Sequence, residues 1–183
     1  MTISRRLFNR NEVLLETTST PMRKKQVDQV NMHLIFSGNE HYCTESQGLN
    51  LHPGNFLVLP DGITYSRCIY TSDPVNSLSL SFGHDFIADF FKSLNDNDEH
   101  ILDDHTYFNS GRKIDIPIGL YPFCDDFKYT ALNFKRSLEM GVADDLLINE
   151  YLYHCLLNYF NIFNKEIVTK GQRLSSKNPA TRK

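Results

Sequence analysis

The sequence predicts a mainly β domain followed by an antiparallel helical hairpin. From about residue 13 to residue 82, short runs of Val, Ile, Leu, Tyr and Phe are separated by turn residues at roughly 8–12-residue intervals, as in a sandwich or barrel. Within this half, Asn76–Phe82 alternates serine with large apolar residues, which predicts a strand with one buried and one polar face. Beyond Pro122 the apolar residues recur at helical spacing instead.

Three further segments in the first half carry clear strand signals. Each is bounded by Gly, Pro, Asn or Asp, and they are His33–Phe36, Phe56–Leu59 and Ile63–Tyr70. The period then changes, because the apolar residues of Asp85–Leu94 recur at helical spacing and predict a short helix against the β domain. Two weaker strand signals follow, at Thr106–Phe108 and Lys113–Ile116.

The helical hairpin is predicted from one apolar stripe and its end signals. The stripe consists of Leu120, Phe123, Phe127, Ala131, Phe134 and Leu138. Gly141 ends this helix, and Asp144 with Asp145 suits the N-cap and first turn of a second one. The second helix is expected from about residue 144 to 167, a length of about 36 Å.

The second helix is apolar over a face too wide for a single partner. That face consists of Ile148, Leu152, Cys155, Leu156, Tyr159, Phe160, Phe163 and Ile167, and Leu147 and Tyr151 lie outside it. One interpretation buries both sides within the monomer, against the β domain and the first helix. The interpretation we adopt is a homodimer, because extensive apolar surface is rarely left uncovered. Its interface is predicted at Ile148, Leu152, Cys155, Tyr159 and Phe163.

Composition and charge narrow the range of functions. The net charge of −3 and the pI near 6.1 provide no basic field for a phosphate backbone, so this chain alone is not expected to bind DNA. The longest uninterrupted apolar run is Phe56–Leu59, and no secretory signal is recognisable, so we expect a cytoplasmic protein. The four cysteines are scattered without a C-x-x-C pair, which indicates reduced thiols.

The most specific motif begins at Gly54 and combines a turn, a buried strand and a second tight turn. Gly54 is followed by five residues, Pro60-Asp61-Gly62, two residues and Tyr65. This pattern resembles the second conserved motif of the cupin superfamily, with Tyr65 in place of the histidine. It implies a cupin-like jelly-roll β-barrel.

The order of segments around this motif resembles the N-terminal ligand-binding and dimerisation domain of AraC-type transcription regulators. The residues that carry the resemblance are Ser37-Gly38 after the first apolar strand, Leu51–Phe56, the Pro60-x-Gly62 turn and the Ser/Leu strand ending at Phe82. Asn178–Lys183 also resembles the linker into that family's DNA-binding half.

The resemblance implies a domain division and a mechanism. Residues 1–12 form an N-terminal arm, 13–118 the barrel, 119–168 the dimerising hairpin, and 169–183 a linker toward a helix-turn-helix domain that is absent here. A small-molecule effector in the barrel changes how arm and linker pack, which is a shift between two populations. DNA is contacted only through the missing domain, and no membrane is involved.

Polar residues on strands expected to line the barrel are the candidates for the effector site. They are Ser37, Tyr65, Arg67, Ser77 and Ser79. Hydroxyls combined with one aromatic ring and one guanidinium suit a sugar or a small polar acid. Ser37 stands where the arabinose-responsive pattern has the arginine that reaches the sugar, which argues against arabinose itself. The alternative for each residue is an outward-facing position on its strand.

No catalytic residues, cofactor or metal are expected. His41 and Glu45 keep the spacing of two cupin metal ligands, but Asn39 and Tyr65 replace the two remaining histidines, and two ligands rarely hold a catalytic ion. Two alternative functions stay open: a stand-alone metal-dependent cupin enzyme, and a barrel that binds a protein regulator. A lumen filled with side chains would favour the second.

Overall fold

The computed structural model describes residues 1–70, 72–96 and 116–175. The strands in these ranges are β1 (Thr2–Arg6), β2 (Glu12–Thr18), β3 (Met22–Gln26), β4 (Val30–Ser37), β5 (Glu40–Thr44), β6 (Gly48–Leu51), β7 (Asn55–Leu59), β8 (Thr64–Cys68), β9 (Val75–Phe82) and β10 (Gly119–Pro122). The helices are α1 (His84–Asp96), α2 (Asp125–Glu139) and α3 (Asp145–Ser175). The prediction of a mainly β fold with C-terminal helices is confirmed.

The strands form two antiparallel sheets. One has six strands in the order β1-β2-β9-β4-β7-β10, and the other has four in the order β3-β8-β5-β6. Closing a barrel would require the edge strands of one sheet to hydrogen-bond with those of the other. In the described part of the chain no strand pairing joins the two sheets. The predicted closed barrel is therefore corrected to two separate sheets.

The central strands β4, β7 and β9 of the six-stranded sheet are covered on both faces. Along β4, β7 and β9, one set of alternating side chains joins the helices in a large core, as Met32, Phe56 and Leu80 do. The other set faces the four-stranded sheet, where Leu57 and Leu59 pack with apolar residues of β5, β6 and β8. Burial on both faces explains why Phe56–Leu59 is a continuous apolar run rather than an alternating one.

Both ends of the β domain differ from the expected boundaries. The predicted arm, residues 1–12, includes β1, an edge strand of the six-stranded sheet whose Thr2–Arg6 pairs with Glu12–Glu16. Leu120 belongs to β10, where it lies opposite Leu57, and not to a helix. Pro122 ends β10 at the other edge of the sheet, where a residue without an N–H group is tolerated.

The turn between the two helices of the hairpin lies at the expected signals, whereas the second helix is longer than predicted. Gly141 adopts a left-handed φ of 71° after α2, and its N–H donates to the carbonyl of Leu138. Asp144 is the N-cap of α3, since its Oδ1 accepts a hydrogen bond from the N–H of Leu147 at 2.8 Å. Helix α3 continues to Ser175, so it includes the start of the predicted linker.

Of the three remaining predicted segments, only the helix can be placed in full. The predicted helix Asp85–Leu94 corresponds to α1. The strand predicted at Thr106–Phe108 lies outside the described residues, as does all of Lys113–Ile116 except its last residue. None of the described helices is long and apolar enough to span a membrane.

The predicted dimer interface lies inside the monomer. Ile148, Leu152, Cys155 and Tyr159 are at most 1% exposed, and Phe163 is partly buried against the same core. Tyr151 is buried as well, and its ring stacks on Phe134 of α2 at 3.9 Å between centroids. The core of the same chain therefore covers Ile148, Leu152, Cys155 and Tyr159, and it covers Phe163 in part.

Candidate functional site: a polar cluster between the sheets

The serine face of β9 points into the space between the two sheets. Leu78, Leu80 and Phe82 belong to the helix-side core, so the alternating residues Ser77 and Ser79 face the other way. Antiparallel pairing places Ser79 between Leu14 of β2 and His33 of β4. The same pairing places Ser77 next to Glu16 of β2. Polar groups thus share this face with the apolar side chains of Ile35 on β4 and of Leu57 and Leu59 on β7.

The four-stranded sheet contributes an arginine that contacts carboxylates from both sheets. The Nη1 atom of Arg67 lies 2.5 Å from Oε1 of Glu16 and 3.2 Å from Oε1 of Glu40. The side chains of Arg67 and Glu40 are 5% and 0% exposed, whereas that of Glu16 is 15% exposed. One guanidinium therefore serves two carboxylates, and together they connect β2, β5 and β8.

Two tyrosines surround this ion-pair cluster. Tyr42 donates its hydroxyl to Oε2 of Glu40 at 2.7 Å, and its ring lies 5.5 Å from that of Tyr65. Burial raises the pKa of Tyr65 to about 12, and burial together with the carboxylate of Glu40 raises the pKa of Tyr42 well above its usual value. Both phenols are therefore neutral hydrogen-bonding groups throughout the physiological range.

His33 completes the cluster as a neutral imidazole. Its Nδ1 lies 2.8 Å from Oγ of Ser79, and its ring is 5.3 Å from the ring of Tyr42. Burial lowers the pKa of His33 to about 3, and the positive charges of Arg67 and Lys25 lower it in the same direction. The Nε2 atom of His33 and the Oγ atom of Ser77 are buried without a hydrogen-bond partner among the described residues.

Burial also changes the carboxyl group of Glu40. Desolvation raises the pKa of Glu40, and this effect outweighs the opposing influence of Arg67 and the hydrogen bond from Tyr42. The Oε1 atom of Glu40 is buried and accepts no hydrogen bond from the described residues, although it lies within ion-pair distance of Arg67. A buried carboxylate with an unused oxygen can still accept a donor from a ligand.

A polar opening at one end of the space between the sheets shares Tyr65 with this cluster. It has a volume of about 130 Å³ and a polar lining, and Tyr65 is part of its wall. Residues of β1, β2, β3, β4, β9 and the β3–β4 connection form the rest, among them Arg6, Glu12, Lys25, Asn31 and Ser81. Arg6 and Glu12 form an ion pair across the β1–β2 hairpin at 3.1 Å. Hydroxyl, amide and charged groups thus lie together around an aromatic ring.

The structure brings most of the sequence-predicted site residues together. Tyr65, Arg67, Ser77 and Ser79 face the space between the sheets, whereas Ser37 lies exposed at the end of β4. Sequence reasoning missed Glu16, Glu40, Tyr42 and His33. The alternation of β5 could have indicated Glu40 and Tyr42, because these residues are two positions apart and share a face of the strand.

The residues at the predicted remnant of a metal site lie elsewhere. The Nδ1 atom of His41 is 2.6 Å from Oδ1 of Asn50 on β6, and Glu45 lies in the exposed turn between β5 and β6. No group of three or more His, Cys, Asp and Glu side chains placed to hold a metal ion is found among the described residues.

Comparison with known proteins gives a likeness of fold without a likeness of sequence. No protein-family model matches the chain, and no curated protein matches it in sequence. Among solved structures, apo ToxT from Vibrio cholerae, in a variant form, is 13% identical over 88% of this chain and 58% of its own, with a TM-score of 0.58. A second ToxT crystal form is 10% identical over 85% of this chain and 57% of its own, with a TM-score of 0.55.

These alignments extend through the helices as well as the sheets. A protein of unknown function from Rhizobium leguminosarum aligns with 46% of this chain and 81% of its own, at 12% identity and a TM-score of 0.41. The chain spans somewhat more than half of the length of ToxT. At these identities the likeness to ToxT establishes the arrangement of sheets and helices and nothing about a ligand.

Proposed function

We propose that this chain is the effector-sensing and dimerisation domain of an AraC-type transcription regulator. ToxT, whose fold it shares over 88% of its length, is a regulator of this family. The sequence resemblance around Gly54–Tyr65 and in the Ser/Leu strand supports the same family independently. In such a regulator the chain acts as a sensor and not as an enzyme, and a separate helix-turn-helix domain contacts DNA.

The observation that carries the proposal is the polar cluster between the sheets. The facing layers of a two-sheet fold normally pack as an apolar core. Here that space contains an arginine, two carboxylates, two phenols, an imidazole and serine hydroxyls. Leaving a buried polar atom unpaired costs about 1–3 kcal/mol, so His33 Nε2 and Ser77 Oγ are destabilising unless something pairs with them. A small ligand carrying hydroxyl groups would do so.

The expected ligand is small, polar and sugar-like. It would enter at the polar opening beside Tyr65 and extend toward Ser77 and Ser79. Hydrogen-bond donors and acceptors line the opening itself, as recognition of a polyhydroxylated molecule requires. Tyr65 adds an aromatic surface at the inner end of the opening.

The dimer would use a different surface from the one expected from sequence. Large apolar side chains are exposed on α2, on the connection and at the start of α3; they are Tyr129, Leu132, Met140, Val142 and Leu146, at 46–69% exposure. A soluble protein rarely leaves such a group uncovered. We assign this surface to a two-fold contact with a second copy of the chain.

The β1–β2 hairpin provides a connection between the polar opening and this dimer surface. Arg6 and Glu12 of the hairpin line the opening. The tip of the hairpin is bound to α3, because Asn9 and Asn11 both donate to Oδ1 of Asn149, at 3.0 and 3.4 Å. A ligand that displaces the hairpin therefore acts directly on the first turns of α3, where Leu146 lies exposed.

The proposed function is tested by ligand binding. Neutral pentoses, hexoses and small hydroxy acids are added to the ¹⁵N-labelled protein, and amide shifts are followed by NMR. We expect a sugar-like compound to shift residues of β4 and β9, and Ser77→Ala to weaken its binding. Ser66→Ala is the matched control, since position 66 alternates with the inward-facing Tyr65 and Arg67 on β8 and faces away from the cluster.

The contrary result would be absence of any saturable shift near the cluster across the whole panel. Together with a side-chain-filled interior, that result would favour the barrel that binds a protein regulator.

A further inference from the structure

Two cysteines lie next to each other on the outer face of the four-stranded sheet. Tyr42 of β5 and Arg67 of β8 point into the space between the sheets, where both contact Glu40. The alternation of the two strands therefore turns Cys43 and Cys68 to the opposite face. Both are free thiols of intermediate exposure. A pair of thiols on the solvent side of a sheet is unusual, because cysteine is among the residues most often buried.

The strand register determines how far apart these two cysteines are. Cys43 lies directly opposite Ser66, and His41 lies opposite Cys68, so the cysteines are diagonal neighbours on adjacent antiparallel strands. The Cα atoms of such neighbours are about 7–8 Å apart. A disulfide requires Cα atoms within about 6.8 Å of each other. A metal ion with two thiolate bonds of about 2.3 Å instead allows the sulfur atoms to lie up to about 4.6 Å apart. The spacing is therefore too wide for a disulfide and suits a bridging ion.

Tyr70 provides a second observation that brings the two thiols together. Its hydroxyl forms a hydrogen bond with Cys68, and this bond, with a smaller influence of Cys43, raises the pKa of Tyr70. One phenol therefore lies within reach of both sulfur atoms. Because Tyr70 is 78% exposed, its side chain can move aside without opening the core.

Small residues flank Cys43 and leave room for an ion. Gly48 of β6 lies opposite it on one side and Ser66 of β8 on the other. The imidazole of His41 is turned toward β6, since its Nδ1 lies 2.6 Å from Oδ1 of Asn50 and a Cβ atom at Gly48 would lie 3.0–3.1 Å from its ring. Within the described part of the chain, no third His, Cys, Asp or Glu side chain completes a metal-binding group with the thiols. An ion bound here must be satisfied by two ligands.

We propose that Cys43 and Cys68 bind one soft monovalent cation, Cu(I), between their sulfur atoms. Thiolates are the ligands that Cu(I) prefers, and a closed-shell monovalent ion is satisfied by two of them in a linear arrangement. Structural Zn(II) sites require four ligands. Each thiol releases its proton when it binds, and the ion keeps its oxidation state. The site goes beyond the proposed function, because it lies on the outer face of the sheet and shares no residue with the polar cluster.

The test is a titration of the whole, reduced chain with Cu(I) under anaerobic conditions. Affinity is measured by competition with a chromogenic Cu(I) chelator. Position is measured by alkylation with iodoacetamide followed by mass spectrometry of the peptides. We expect one ion per chain, with Cys43 and Cys68 protected together, while Cys124, exposed at the N-cap of α2, stays reactive. Zn(II) should bind at least tenfold more weakly than Cu(I).

Substitutions with a matched control identify the ligands. Cys43→Ser and Cys68→Ser should each weaken Cu(I) binding at least tenfold, because a single thiolate remains. Cys124→Ser removes an exposed thiol from a different part of the fold and should leave the affinity unchanged. The alkylation experiment uses the unsubstituted chain, so it decides the outcome even if a serine variant fails to fold.

Three results would each overturn the proposal: protection of only one of the two cysteines, equal protection of Cys124, or an unchanged affinity in Cys43→Ser. Zn(II) binding as tight as that of Cu(I) would also overturn it, since the ion would then have more than two ligands. Ligand binding at the polar cluster is measured separately, so either site can fail without the other.

Discussion

Replacing Arg67 by methionine removes the only positive charge that the described residues place within contact of both Glu16 and Glu40. Methionine retains much of the side-chain volume, so the main change is the loss of charge. Removing one partner of a buried ion pair costs about 3–5 kcal/mol, because the remaining charge is left uncompensated. Glu16 is 15% exposed and can recover some hydration, so we expect Arg67→Met to lose about 3 kcal/mol of unfolding free energy at pH 7.

The measurement is urea unfolding followed by circular dichroism, since the chain contains no tryptophan. Arg5→Met is the matched control, because the pair of Arg5 with Asp145 is 46% and 69% exposed and should contribute at most about 1 kcal/mol. The double variant Arg67→Met with Glu40→Gln should be more stable than Arg67→Met alone. A loss below about 1 kcal/mol in Arg67→Met would refute the reasoning.

The same variant predicts a change in pH dependence. The pKa of Glu40 is raised in the folded chain by burial, so the folded state holds this proton more tightly than the unfolded one. Its contribution to stability is therefore present at low pH and lost as the pH rises through the folded-state pKa. Arg67 acts to lower that pKa, so Arg67→Met should raise it further and should gain more stability on acidification than the wild type does. An unchanged pH profile would contradict this.

Three other outcomes are expected. The pKa of His33 is about 3 in the folded chain and 6.5 in the unfolded one, so the wild type should lose stability as the pH falls from 6.5 to about 3. His33→Gln removes this titration and should make the loss smaller, as measured by urea unfolding over this pH range. Asn149→Ala should lower the free energy of unfolding by about 1–3 kcal/mol in the same assay, since it leaves Asn9 and Asn11 without their shared acceptor. No measurable change would count against a stabilising contact between the β1–β2 hairpin and α3. Leu146→Glu should give monomers in sedimentation velocity, with an unchanged free energy of unfolding, because Leu146 is exposed in the monomer. Dimers that persist in this variant would exclude this surface as the dimer contact.

The Ser/Leu alternation of β9 was the most informative part of the sequence for the site. It required that all the serines of the strand share one face, and the structure places that face against the second sheet. Alternation along β4 would likewise have placed Ser37 on the same face as His33 and Ile35. The pairing of β4 with β9 shifts register between Ile35 and Ser37, and this irregularity leaves Ser37 exposed at the strand end.

The partners of Arg67 could not be found from local patterns. Glu16 and Glu40 lie 51 and 27 positions away along the chain, and only the order of strands within and between the sheets brings them together. The partner of the wide apolar face on α3 could not be found from local patterns either. Periodicity shows how much of a helix must be covered, and it does not show whether a sheet of the same chain or a second chain covers it.

Among the described strands, four lie at sheet edges, and each is poorly suited to accept a strand from a neighbouring molecule. β1 and β3 carry consecutive basic residues in sequence, Arg5-Arg6 and Lys24-Lys25, and β6 and β10 are only four residues long. Charge and short length are the features by which natural edge strands resist pairing. Open-ended growth into fibres is thereby discouraged, and association through the helices can stop at a finite, symmetric particle.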